Sequence, residues 1–206
     1  MTGVLRSKLV MAAAVLGLLF AGQTGAAQPA GAMPDYKSTA VVASKQSDKI
    51  TLLVGGLRRD IRLMPTAQVL MGRFTDAGGA QAFLYNPGKA PDGILRYWLS
   101  GGKISYSFTR MDVAGWYRPL VSDLDKDGRS DIVWYSPGGG QDRIWWFEAD
   151  GSHTTQSFSL GGDYRPIAVS GVMYTEGLTY PKGIIWYQPG PGHDEMWRFP
   201  NGRTHT

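Results

Sequence analysis

The sequence predicts an all-β chain, a β-propeller-like array of about four blades with four short antiparallel strands in each. Three observations carry this reading. Short runs of β-branched and aromatic residues are separated by Gly, Pro, Asn and Asp. No stretch outside the amino-terminal segment has the apolar spacing of an amphipathic helix. One tetrapeptide returns once per unit, as Tyr85-Asn-Pro-Gly88, Tyr135-Ser-Pro-Gly138 and Tyr187-Gln-Pro-Gly190, at steps of 50 and 52 residues. A second marker, Tyr117-Arg-Pro-Leu120, recurs as Tyr164-Arg-Pro-Ile167 after 47 residues. Four strands per period of this length make a propeller blade. A two-sheet sandwich would also have many short strands, but it gives no reason for the same tetrapeptide to return.

Taken in order, the chain opens with Arg6 and Lys8, the apolar run Leu9 to Phe20, and small residues up to Ala32. This is the layout of a secretory signal peptide, residues 1–27, with cleavage after Ala27 or as late as Ala32. Its apolar run is shorter than the about 20 residues a membrane span needs. Residues 28–36 read as a short linker, and residues 37–206 hold the repeat units, about 37–66, 67–116, 117–163 and 164–206. In the first unit, Ser38 to Ser44 resembles a second strand, Lys49 to Val54 a third and Arg58 to Leu63 a fourth, with the opening strand missing. In the other units the third strand is Ile94 to Trp98, Arg143 to Phe147 and Glu195 to Phe199. The last unit ends at Thr206 inside its closing strand.

Composition narrows the function. Without cysteine there is neither a disulfide nor a lipid-modified cysteine at a cleavage site, so the expected mature protein is released and extracellular. Removing the signal takes the net charge from +4 to +2, and no basic run or basic-aromatic stripe points to nucleic acid. The three histidines, His153, His193 and His205, fall in or beside turns, and no zinc-protease pattern is present. Outside one loop the acidic residues are scattered on turns and strand ends. The expectation is therefore a protein without a catalytic site.

That one loop is Asp123-Leu-Asp125-Lys-Asp127-Gly-Arg-Ser-Asp131. A calcium loop places carboxylates at positions one, three and five, a turn glycine at six and a backbone carbonyl at seven. Here these are Asp123, Asp125, Asp127, Gly128 and the carbonyl of Arg129, with Asp131 at nine. Position twelve is Trp134 where an EF-hand needs a bidentate glutamate, so the loop is not an EF-hand. Four carboxylates this close repel one another, and a cation offsets the repulsion.

Residues 117 to 138, Tyr-Arg-Pro-Leu-Val-Ser-Asp-Leu-Asp-Lys-Asp-Gly-Arg-Ser-Asp-Ile-Val-Trp-Tyr-Ser-Pro-Gly, resemble the FG-GAP or VCBS repeat of secreted bacterial proteins and integrin-like propellers. The resemblance extends more loosely from about residue 36 to the end. It implies a β-propeller whose Asp-x-Asp-x-Asp-Gly-x-x-Asp loop, between the first two strands of a blade, binds calcium through Asp123, Asp125, Asp127, the Arg129 carbonyl and Asp131. The preceding unit offers Arg73, Thr75, Ala77, Gly78 and Gln81 instead. The last unit has Ser170 and an expanded segment with one acid, Glu176. One calcium ion is expected. Four units could close as a small ring, or form a partial ring completed by a homodimer.

The tryptophans of the second and third strands are expected in the core by default. A sugar-binding face is the other reading, with Trp98, Trp146, Trp197 and Arg198 as its candidates. The function expected from these features is a secreted, calcium-binding, non-enzymatic binding or adhesion module for carbohydrate or a surface protein. A hydrolase with catalytic acids on blade loops, or a half-propeller working only as a dimer, are the alternatives.

Overall fold

The structure is a computed structural model that describes residues 39–43, 48–89, 91–169 and 182–206, with side chains from residue 48 onward. The signal segment, the linker, Ser170 and Glu176 lie outside the described residues. Fourteen strands form four antiparallel sheets among the described residues, and no helix occurs there.

Blade 1 contains β1 (Thr39–Ala43), β2 (Lys49–Val54) and β3 (Leu57–Arg62). Blade 2 contains β4 (Gln68–Met71), β5 (Ala80–Tyr85), β6 (Gly93–Ser100) and β7 (Lys103–Arg110). Blade 3 contains β8 (Arg118–Ser122), β9 (Asp131–Tyr135), β10 (Asp142–Phe147) and β11 (His153–Phe158). Blade 4 contains β12 (Arg165–Val169), β13 (Gly183–Tyr187) and β14 (Glu195–Arg198). Within each blade consecutive strands are neighbours, which is the meander of a propeller blade. Among the described residues blade 1 shows the last three strands of the pattern, and its Gly55-Gly56 turn corresponds to Gly101-Gly102 of blade 2. Blade 4 lacks the last, although Thr206 exchanges two backbone hydrogen bonds with Arg198 at 3.0 and 3.1 Å, the beginning of that strand.

The core lies between successive blades. Ile50, Leu52 and Val54 of blade 1 meet Leu84, Leu95, Tyr97 and Ile104 of blade 2. Phe74, Phe83, Tyr85 and Ile94 of blade 2 meet Ile132, Trp134, Trp145 and Phe147 of blade 3. Val133, Tyr135, Ile144 and Trp146 of blade 3 meet Ile184, Trp186 and Phe199 of blade 4. Blade 3 is covered on both faces, so all five residues of β9 are buried and its sequence, Asp-Ile-Val-Trp-Tyr, shows no polar alternation. Trp134 makes edge-on contacts with Phe83, Tyr85, Tyr117 and Trp145 at centroid distances of 5.0 to 5.9 Å. Such pairs each add about 0.5–1.5 kcal/mol beyond area burial. Among the described residues no core cluster joins blade 4 to blade 1, so no closed ring is seen.

The recurrent tyrosine has a physical role in joining blades. The Tyr85 hydroxyl donates to the Gly115 carbonyl at 3.0 Å and accepts the Tyr117 N–H at 2.8 Å, reaching the segment that leads into blade 3. Tyr135 repeats this on the segment leading into blade 4, with Gly162 at 2.7 Å and Tyr164 at 2.9 Å. The aspartate that follows each turn holds its shape. Asp92, Asp142 and Asp194 accept the N–H of the residue after the tyrosine at 2.6, 2.7 and 2.9 Å. Burial pushes the Tyr85 hydroxyl pKa up to about 12, so it stays a donor.

Tyr135→Phe leaves a buried N–H and a carbonyl without their partner and should cost about 1–3 kcal/mol in urea unfolding. Tyr187, at 40% exposure, makes no such contact among the described residues, and Tyr187→Phe should leave stability within about 0.5 kcal/mol. Equal effects of the two changes would refute the tyrosine's role as a tie between blades.

Candidate metal centre

The loop between β8 and β9 places Asp123, Asp125 and Asp131 together, each offering an oxygen within 4.8 Å of the others. Lys126 takes a left-handed backbone, φ 66°, at the tip of this turn. Asp131 is fully buried at the start of β9, where its Oδ2 accepts the Leu124 N–H at 2.9 Å and its Oδ1 the Phe147 N–H at 3.3 Å. Burial pushes its carboxyl pKa up to about 7, against these hydrogen bonds, and the charges of Asp125 and Asp127 add to the rise. Asp123 Oδ1 is buried without a hydrogen-bond partner. A buried carboxylate oxygen without a donor, with oxygens of two more carboxylates within 4.8 Å, can hold a hard cation, since such ions take carboxylate oxygens.

Asp127 is not the third member of this group. Its carboxylate pairs with the Arg129 guanidinium and accepts the Arg129 N–H at 2.8 Å. The Arg129 side chain continues to the Phe147 carbonyl at 3.0 Å and to Asp76 of blade 2 at 3.5 Å. On the other side, Lys182 bonds Asp123 at 2.5 Å and Arg203 bonds Asp125 at 3.0 Å. Ser130 ties the loop back to blade 2, its N–H on the Arg73 carbonyl at 2.6 Å and its hydroxyl on the Arg73 N–H at 3.0 Å. The acidic loop thus touches three consecutive blades.

Blade 2 shows what the same loop does without carboxylates. Gln81 stands where blade 3 has Asp131, and its Oε1 accepts the N–H groups of Phe74 and Thr75 at 2.7 and 3.0 Å. Its Nε2 donates to the Thr75 carbonyl, the Thr75 hydroxyl and the Ala77 carbonyl at 3.2, 3.0 and 2.9 Å. The amide nitrogen gathers the loop oxygens from inside. Asp131 uses both oxygens as acceptors and has no amide to donate, so the blade 3 loop has no internal donor corresponding to that nitrogen. In blade 4 the position is Gly183, where a Cβ would lie 2.3 Å from the Trp197 carbonyl oxygen, so no side chain fits there.

The four candidates do not form one exposed ligand face, since Trp146 and Trp197 share the core cluster between blades 3 and 4 while Trp98 is on blade 2. Trp98 lies on blade 2 with the Arg96 guanidinium 4.7 Å above its ring. Trp146, at 1% exposure, is sealed between blades 3 and 4 and donates to Gln156 at 3.1 Å, so it cannot stack on a ligand. Trp197 is covered by the His205 ring, stacked at 4.0 Å. Arg198 is exposed on β14. The open indole is Trp116, at 68% exposure, packed beside Gly88 of the first Tyr-x-Pro-Gly turn. Its position just before Tyr117, in a segment linking two blades, was the sequence signal for it.

Residues 115–151 match the FG-GAP repeat family. The chain carries an FG-GAP repeat. The matched residues run from the segment leading into blade 3 to the turn before β11, so the FG-GAP repeat contains both the acidic loop and one Tyr-x-Pro-Gly turn. No match was found among curated proteins or among solved structures. An FG-GAP repeat within an all-β array of three- and four-stranded sheets points to a propeller-like binding module.

Asp131→Asn removes one carboxylate from the group and turns one of two accepting oxygens into a donor facing the Leu124 or Phe147 N–H. Millimolar calcium should raise the melting temperature of the parent by about 3–6 °C and leave that of Asp131→Asn unchanged. An equal rise in both would remove Asp131 from the metal group.

Proposed function

We propose that the protein is a secreted, calcium-binding module of the propeller type that binds a glycan or a surface protein and performs no catalysis. The observation that carries the calcium reading is the group of Asp123, Asp125 and Asp131 with its orphaned, buried Asp123 oxygen. Calcium takes six to eight oxygens, so these three carboxylates would be completed by backbone carbonyls, Arg129 among them, and by water. Its role is structural. The ion supplies the positive charge that lets three carboxylates share the start of β9 and keeps the loop in reach of blades 2 and 4.

Extracellular calcium near 1 mM and a site of about 10⁻⁴ M together imply about 1.4 kcal/mol of stabilisation. The absence of disulfides gives such an ion a use outside the cell. The amino-terminal pattern of Arg6, Lys8 and Leu9 to Phe20 supports export.

For the ligand, the reading rests on Trp116, a flat apolar ring open to solvent with an indole N–H for hydrogen bonding, the pairing that sugar recognition uses. A glycan array probed with the calcium-loaded mature protein should give binding that Trp116→Ala weakens about tenfold or more, a loss of about 1.4 kcal/mol. Binding that survives Trp116→Ala unchanged would remove this residue from the ligand site. Turnover of a glycosidase or peptidase substrate, lost on changing one acid outside the 123 to 131 loop, would overturn the non-enzymatic reading.

A further inference from the structure

The outer face of blade 4 repeats the chemistry of two faces that are buried in this chain. Each face that receives a following blade has the same five parts. In blade 3 these are Leu120, Val133, Tyr135 and Ile144, with Gly138 N–H on the Gly162 carbonyl at 2.8 Å. In blade 2 they are Leu70, Phe83, Tyr85 and Ile94, with Gly88 N–H on the Gly115 carbonyl at 2.9 Å. The strand registers put Ile167, Ile185, Tyr187, Met196 and Gly190 at the matching places in blade 4. There Ile167 is 48% exposed, Tyr187 40% and Met196 36%, against 0% for Tyr85 and Tyr135.

A sixth part is also present. Arg118 of blade 3 holds the lead-in to blade 4, ion-pairing with Asp163 and donating to the Tyr164 carbonyl at 2.8 Å. Arg165 is its counterpart in blade 4, exposed on β12. Among the described residues the Tyr187 hydroxyl, the Gly190 N–H and the Arg165 guanidinium have no hydrogen-bond partner. An apolar patch with an aligned set of three donors is a site for one kind of backbone segment.

We propose that this face docks a further blade whose lead-in reads Gly-Xaa-Tyr with an acidic residue at Xaa. The glycine carbonyl would accept from Tyr187 and Gly190, the tyrosine N–H would donate to Tyr187, and the acidic side chain would pair with Arg165, as Gly162, Tyr164 and Asp163 do on blade 3. The apolar side of the incoming sheet would cover Ile167, Ile185 and Met196.

A second copy docked through blade 1 would bring a charged side to this face. Away from blade 2, Lys49, Thr51, Arg58 and Asp60 of blade 1 form one polar network, with hydrogen bonds to Asp60 of 2.7 to 3.2 Å. Covering that network with Ile167 and Met196 would take its charges out of water.

The probe is a labelled peptide of residues 161–169, Gly-Gly-Asp-Tyr-Arg-Pro-Ile-Ala-Val, titrated against the full chain by fluorescence anisotropy. Saturable binding is expected, weakened about tenfold by Tyr187→Phe and again by Arg165→Ala, with a peptide bearing Pro at the second glycine not binding. Absence of binding, or binding that Tyr187→Phe leaves unchanged, overturns the proposal. Light scattering on the same samples supplies the other decisive result, since a dimer dispersed by Ile167→Asp would assign the face to a second copy instead.

Discussion

A single sheet of three or four short strands cannot bury its own apolar side chains, so each blade of this protein depends on the next one for cover. Everything else in the structure follows from that constraint. Phe83 and Tyr85 of β5 point at blade 3, Trp134 of β9 points back at blade 2 and Tyr135 on to blade 4, and the recurrent tyrosine of β5 and β9 closes the contact by taking hold of the next lead-in. The acidic loop lies across the same seams, since its neighbours Arg73, Lys182 and Arg203 belong to blades 2 and 4. Stability in such an array is a sum of interfaces between neighbours. The first interface is the least aromatic, built on Ile50, Leu52 and Val54 with Tyr97 as its one large ring.

Much of the fold was legible because its marks are local. Tyr-x-Pro-Gly punctuates the second turn of blades 2, 3 and 4, and strands as short as Ile132 to Tyr135 announce themselves by composition. The hairpin turn of blade 1 was also readable, through Gly55-Gly56. What could not be read was the partner of each mark. The tyrosine hydroxyls reach residues 27 to 32 positions away, a distance set by the blade-to-blade step. The tryptophans illustrate the same difficulty. In a blade covered on both faces neither Trp145 nor Trp146 is open, and alternation along the strand carries no information about exposure.

The loop was legible in its residue types and less so in its geometry. Asp123, Asp125 and Asp131 converge as their spacing implies, but Asp127 is drawn to the adjacent Arg129, a competition between a guanidinium and a metal position that a ligand pattern does not encode. Gln81 was visible only as a departure from the pattern. In the structure its amide nitrogen gathers the loop oxygens, and it explains how blade 2 keeps the same turn with a neutral side chain. The two loops answer one electrostatic problem, how to gather several oxygens around one point, by different means.

The central claim is that the blade 3 loop binds one calcium ion. Equilibrium dialysis with radioactive calcium against the mature chain tests it most directly. The account predicts one ion bound per chain, lost in Asp125→Ala and kept in Asp76→Ala, whose carboxylate lies outside the group. No bound calcium at millimolar concentration, or an ion that persists in Asp125→Ala, would contradict it.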